Sequence, residues 1–168
     1  AVAENSRAGS KYRGRLDTAH IAVAGQSCGG VQAIEASTDP RVTTSMIFNS
    51  GLLDQPTQMA GGAVLSKADL KFHGPVAYIS GDPSDIAFKN ADYDFARIDS
   101  DPAFRGYMEG VGHNGTHRWL NGGEFAQVST AWLSWRLKGD TKAAKMFTGP
   151  DCGLCTNPRW VVRKKKID

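Results

Sequence analysis

No apolar run in this chain approaches the roughly 18 residues that a bilayer-spanning helix needs. The opening residues, AVAENSRAGS, hold no basic stretch followed by an apolar core, so no secretory leader is read in them. Charge of one sign is also lacking. The 20 Lys and Arg face 17 Asp and Glu, and a formal net charge of +3 gives no electrostatic basis for a nucleic-acid partner. Internal repeats and low-complexity segments are absent, which excludes a solenoid and a disordered linker. Cysteine is scarce. With three, at positions 28, 152 and 155, and no second Cys/His pair placed beside Cys152-Gly-Leu-Cys155, a four-ligand zinc site cannot be completed. A dinucleotide fingerprint, G-x-G-x-x-G, is missing as well. What remains is an ordinary globular composition. The 168 residues are 40% hydrophobic and 22% charged, enough for one domain with a core.

The pattern of apolar residues then alternates between strand and helix periods. Residues 20 to 24 form a short apolar run that predicts a buried strand. In 28 to 37, Val31, Ala33 and Ile34 make an apolar stripe, and Asp39-Pro40 ends the helix. Residues 42 to 48 and 75 to 80 are β-branched and apolar, hence strands, with a weaker strand at 103 to 108 interrupted by Gly106. Between them, 51 to 70 runs through glycine and proline with a helical turn or two, and 90 to 98 is helical. The clearest helix is 123 to 138. There Phe125, Val128, Trp132 and Trp135 recur at helical spacing, and Gly139 supplies the stop. The two tryptophans are read as core. The final basic run, Arg163 to Lys166, is read as a solvated tail. Strand and helix in alternation predict an α/β fold, an open sheet with parallel crossovers.

One stretch in this frame carries chemistry. Gly25-Gln26-Ser27-Cys28-Gly29 is G-x-S-x-G, set between a strand and a helix. That context is the one a nucleophile elbow requires, a sharp turn lifting a serine clear of the sheet edge. Glycines 25, 29 and 30 are expected where backbone crowds the turn. The Cys28 N–H, at the helix start, is the expected oxyanion donor. Serine attacks only when a base takes its proton. The elbow arrangement places an acid and then a histidine later in the chain, each after a strand. Strand 75 to 80 runs into Gly81-Asp82-Pro83-Ser84-Asp85, and strand 103 to 108 runs into Gly110-Val111-Gly112-His113. Asp85, one turn beyond the strand end, is favoured as the acid, and Asp82 is the alternative. His113, between glycines, is favoured as the base over His117. His20 and His73 precede strands and fall outside the order. No metal or cofactor is called for. Leu52, Leu53 and Met59 are candidates to border an acyl pocket. Cys152 and Cys155 read as a small structural disulfide, with free thiols or a redox pair as the other readings.

These pieces together resemble the α/β-hydrolase superfamily, within it the dienelactone-hydrolase-like and cutinase-like esterases, and more closely secreted fungal α/β-hydrolases of unassigned substrate. The resemblance rests on GQSCGG, DPRV, GPVAYISGDPSDIAF, VGHNGTH, WLSWRLKGD and DCGLC, which span most of the chain. It implies a serine hydrolase acting on a carboxylic ester, small or polymeric, with Ser27, Asp85 and His113 as the triad. It also implies a structural disulfide between Cys152 and Cys155 and an extracellular location. The resemblance further implies that the whole chain is a single domain corresponding to the C-terminal half to two-thirds of such an enzyme. The N-terminal strands, and the loop that carries the second oxyanion N–H, would then be lacking. The competing expectation is therefore a catalytically incomplete fragment or pseudoenzyme subunit, completed by an N-terminal segment or a partner chain.

Overall fold

A computed structural model describes residues 1–58 and 64–168. A short helix, α1 (Val2–Ser6), precedes β1 (Ile21–Gln26), α2 (Cys28–Ala36) and β2 (Val42–Phe48). A two-residue pair, β3 (Thr57–Gln58) and β4 (Val64–Leu65), lies apart from the main sheet. Then follow β5 (Val76–Gly81), α3 (Phe88–Arg97), β6 (Ala103–Met108), α4 (Gly123–Lys138), α5 (Thr141–Ala144) and β7 (Trp160–Lys165). The five-stranded sheet has the order β1-β2-β5-β6-β7. Its first four strands are parallel, and β7 runs antiparallel to β6. The chain is thus an α/β protein with a mainly parallel sheet flanked by helices.

Side chains alternate across the strands, so the central strands β2, β5 and β6 each feed two cores. On one face, Met46, Ala77, Ile79, Phe104 and Met108 pack beneath Phe125, Val128 and Trp132 of α4. On the other, Ile47, Val76, Tyr78 and Ala103 pack beneath Val31 and Ile34 of α2 and Ala91 and Phe95 of α3. Both faces of β5 are buried along its whole length, as a central parallel strand requires. Helix α4 ends where Gly139 turns left-handed at φ 67°, and the Asp140 carboxylate then caps α5 through the Lys142 and Ala143 amides. Trp132 is fully buried and donates its indole N–H to Thr44 Oγ1 at 2.8 Å. Trp135 is half-buried, stacked on Phe147 and covered by Arg136. The Cys152–Cys155 disulfide follows α5, with Cys152 buried in the α4-side core. Among the described residues no helix is long and apolar enough to cross a membrane.

The basic C-terminal run is not a solvated tail. Its first three residues form the second half of β7, and their side chains are sorted by the pleat. Arg163 pairs with Asp92 of α3, and Lys165 bonds the carbonyls of Ala96 and Ile98 at the end of that helix. Lys164 turns to the opposite face and bonds Gly149 O at 2.6 Å. A cation at a helix C-terminus meets the negative end of the helix dipole, and long aliphatic stems let lysine cover an edge strand.

Candidate active site

The carboxyl ends of β1, β2, β5 and β6 converge, the region where open α/β sheets place their sites. Ser27 occupies the single residue between β1 and α2, with φ 53° and ψ −121°. A non-glycine residue in that region costs on the order of 1–3 kcal/mol and persists only where its surroundings enforce it. Here they do. Ser27 N–H donates to Phe48 O at 3.0 Å, and Ser50 Oγ donates to Ser27 O at 2.6 Å. Crowding also explains two of the three glycines. A Cβ on Gly25 would lie 2.0 Å from Gly29 O, and one on Gly30 would lie 2.3 Å from Ser50 Cβ. Gly29 faces open space, so packing does not require it.

His113 Nε2 lies 3.0 Å from Ser27 Oγ, and His113 Nδ1 lies 2.7 Å from Asp85 Oδ1. With Nδ1–H donated to the carboxylate, Nε2 presents the lone pair that accepts from the serine hydroxyl. The His113 side chain is 20% exposed and that of Asp85 is fully buried. Three donors hold the Asp85 carboxylate: His113, the Ala87 amide at 2.9 Å and the Asn49 side-chain amide at 2.7 Å. The structure thus brings Ser27, His113 and Asp85 into one hydrogen-bonded chain.

Asp82 does something else. Its Oδ1 accepts from the amide and hydroxyl of Ser84, and its Oδ2 accepts from the Gly110 amide at 2.9 Å. These bonds, chiefly those from Ser84, hold its carboxyl below the usual range. Asp82 therefore ties the loop after β5 to the loop after β6, and so sets the segment that carries His113. His117 is exposed on the following 3-10 turn, away from this chain of bonds.

Cys28 is the first residue of α2, so its N–H is one of the donors the helix itself does not use. Its thiol is free and exposed, and lines a cavity of about 170 Å³ beside Ser27 and His113. Val31, Leu53, Ile86 and Ala87 give the cavity an apolar wall. Of the pocket candidates, Leu53 is therefore in place. Leu52 is instead fully buried in the α2–α3 core, and Met59 lies outside the described residues. Among the described residues no group of three or more His, Cys, Asp or Glu is arranged to hold a metal ion.

Two contributors escape sequence reasoning. Asn49, at φ 43°, is fully buried and supplies a donor to Asp85 from 36 positions away. An asparagine just after a strand, tolerant of left-handed backbone, was the available signal. Gln26, the variable residue inside the elbow motif, donates from its side chain to His113 O at 3.2 Å. No protein-family model matches the chain, and a search of curated proteins finds none similar to it.

Proposed function

We propose that this chain is a serine hydrolase that cleaves a carboxylic ester, on a sheet of the α/β-hydrolase type. The observation that carries the reading is the Ser27–His113–Asp85 chain, with links of 3.0 and 2.7 Å, at a strained strand–helix turn. In the reaction Ser27 Oγ attacks the acyl carbon while His113 Nε2 takes its proton. The carbonyl π electrons move onto oxygen, and the Cys28 N–H donates to that oxyanion. When the tetrahedral intermediate collapses, the C–O bond to the alcohol breaks and His113 protonates the leaving oxygen. Water then attacks the acyl carbon as His113 takes its proton, and His113 returns that proton to Ser27 Oγ as the C–Oγ bond breaks and the acid leaves. Asp85 keeps the imidazole oriented and stabilises its cation throughout.

The cavity suits a short acyl group. At about 170 Å³ it is small beside the roughly 300–1,000 Å³ of sites for drug-sized ligands. The Cys152–Cys155 disulfide fits an oxidising compartment, which supports an extracellular location. The test is hydrolysis of p-nitrophenyl butyrate and p-nitrophenyl dodecanoate by the purified chain. The butyrate ester is expected to turn over faster, with turnover lost in Ser27→Ala at unchanged circular dichroism. A folded chain inactive on every ester would leave the incomplete-subunit reading in its place.

A further inference from the structure

Helix α3 presents Asn90 to the cavity and, one turn later, Asp94 to the core beneath it. Asp94 is fully buried, and its Oδ2 accepts from the Leu52 amide at 2.7 Å and from the Tyr78 hydroxyl at 3.1 Å. Its Oδ1 is buried without a partner among the described residues. The segment this carboxylate grips, Ser50 to Leu53, forms one wall of the cavity and holds Ser27 through Ser50 Oγ. The segment lies hard against α3. A Cβ on Gly51 would stand 2.5 Å from the Asn90 carbonyl carbon. Packing fixes the backbone at Gly51, the Leu52 bond fixes the next residue, and the two together set where Leu53 stands.

We propose that Asp94 is a positioning residue for the ester site, clamping the cavity wall through the Leu52 amide and setting substrate affinity rather than the chemical step. The proposal rests on the ester-hydrolase reading for its kinetic consequence and on geometry alone for the clamp. Asp94 touches neither Ser27 nor His113, so its influence passes through the position of Leu53.

The clamp is also sensitive to pH. Burial pushes the Asp94 carboxyl up to about 7, opposed by the Leu52 amide, the Tyr78 hydroxyl and the positive charges of Lys67 and Arg97. Arg105 on β6 faces Tyr78 and moderates the rise that burial and Asp94 impose on that phenol. An ionised carboxylate accepts shorter, stronger bonds than a protonated one. The wall is therefore held more firmly above pH 7 than below it, and KM falls as pH rises through that value.

The experiment measures kcat and KM for p-nitrophenyl butyrate between pH 6 and 8, with hydrogen exchange at the Leu52 amide followed in parallel. Asp94→Asn keeps the shape and loses the charge. It is expected to raise KM about fivefold at pH 8, to flatten the pH dependence of KM, and to speed Leu52 exchange, with kcat within about twofold. Tyr78→Phe, which removes a bond to the ionised form, is expected to move the KM transition to higher pH. An Asp94→Asn protein with the wild-type KM profile, or with kcat lowered at constant KM, overturns the proposal. Absence of turnover in the wild type removes the hydrolase reading instead. Leu52 exchange then decides the clamp, and protection that is constant with pH overturns it.

Discussion

On the α4 side of the sheet, Phe104, Trp132 and Phe147 meet at ring-centroid distances of 5.1 to 6.2 Å, tilted or edge to face. One hydrogen bond, from Trp132 to Thr44, satisfies the polar atom buried at their centre. On the α2–α3 side, the core carries Asp94, Tyr78 and Arg105, all fully buried. Arg105 bonds Asp92 at 3.0 Å and lies against the Phe88 and Tyr107 rings, yet burial still pulls its guanidinium below the usual value. The difference has a physical sense. Aromatic burial stabilises, whereas a buried charge is kept at a cost and survives where it holds something in place. Here the charged face lies under the cavity and the aromatic face lies away from it. One side of the sheet supplies stability, and the other spends some of it on holding the loops that surround Ser27.

That contrast can be broken in several ways, beginning at the site. Asp85→Asn should leave the fold intact and lower kcat about 10⁴-fold, because the imidazole loses its correct tautomer. Steady-state kinetics with a short acyl ester checks it. Trp132→Ala acts on the opposite face, and should cost about 3–5 kcal/mol in urea unfolding while leaving the kcat of the folded fraction unchanged. A large loss of kcat there would erase the division between the faces.

Asp94 sharpens the comparison through pH. With its carboxyl at about 7 in the fold and the ordinary value near 4 when unfolded, the folded protein holds a proton that the unfolded chain has released. Stability therefore declines as pH rises from about 4 to 7, by at most about 1.4 kcal/mol per pH unit. Asp94→Asn should remove that slope in chemical denaturation at stepped pH. The smallest effect is expected from Asn49→Ala. It leaves Asp85 two of its three donors and should lower kcat about tenfold, consistent with the loss of one bond to a charged group.

Much of this arrangement was legible in the sequence where signals are local. The strand, the glycines and the serine of GQSCGG lie within a few positions of one another, and a turn with φ 53° leaves that imprint. The order of acid and histidine was readable because each follows an apolar run, VAYIS before Asp85 and the weaker AFRGYM before His113. Less legible was whatever depends on contacts across the sheet. Asn49 and Asp85 stand 36 positions apart, and Gln26 and His113 stand 87 apart. Nothing in either pair's neighbourhood marks the contact. Strand β7 was hidden for a different reason. Its Arg and Lys residues read as solvated charge, but their long stems lie over the sheet edge while their heads reach Asp92 and the carbonyls ending α3. Asp94 stands in the inward-facing stripe of Ala91, Phe95 and Ile98, so its burial was readable from helical spacing, but nothing local marks Leu52 and Tyr78 as its partners.

The central claim is that Ser27 is a nucleophile activated by His113. Incubation of the chain with a fluorophosphonate, followed by peptide mass spectrometry, tests it most directly. The expected result is a single adduct on Ser27, absent from Ser27→Ala and much slower to form in His113→Ala. A folded wild-type protein that takes no adduct at Ser27, or takes it equally fast without His113, would contradict the account.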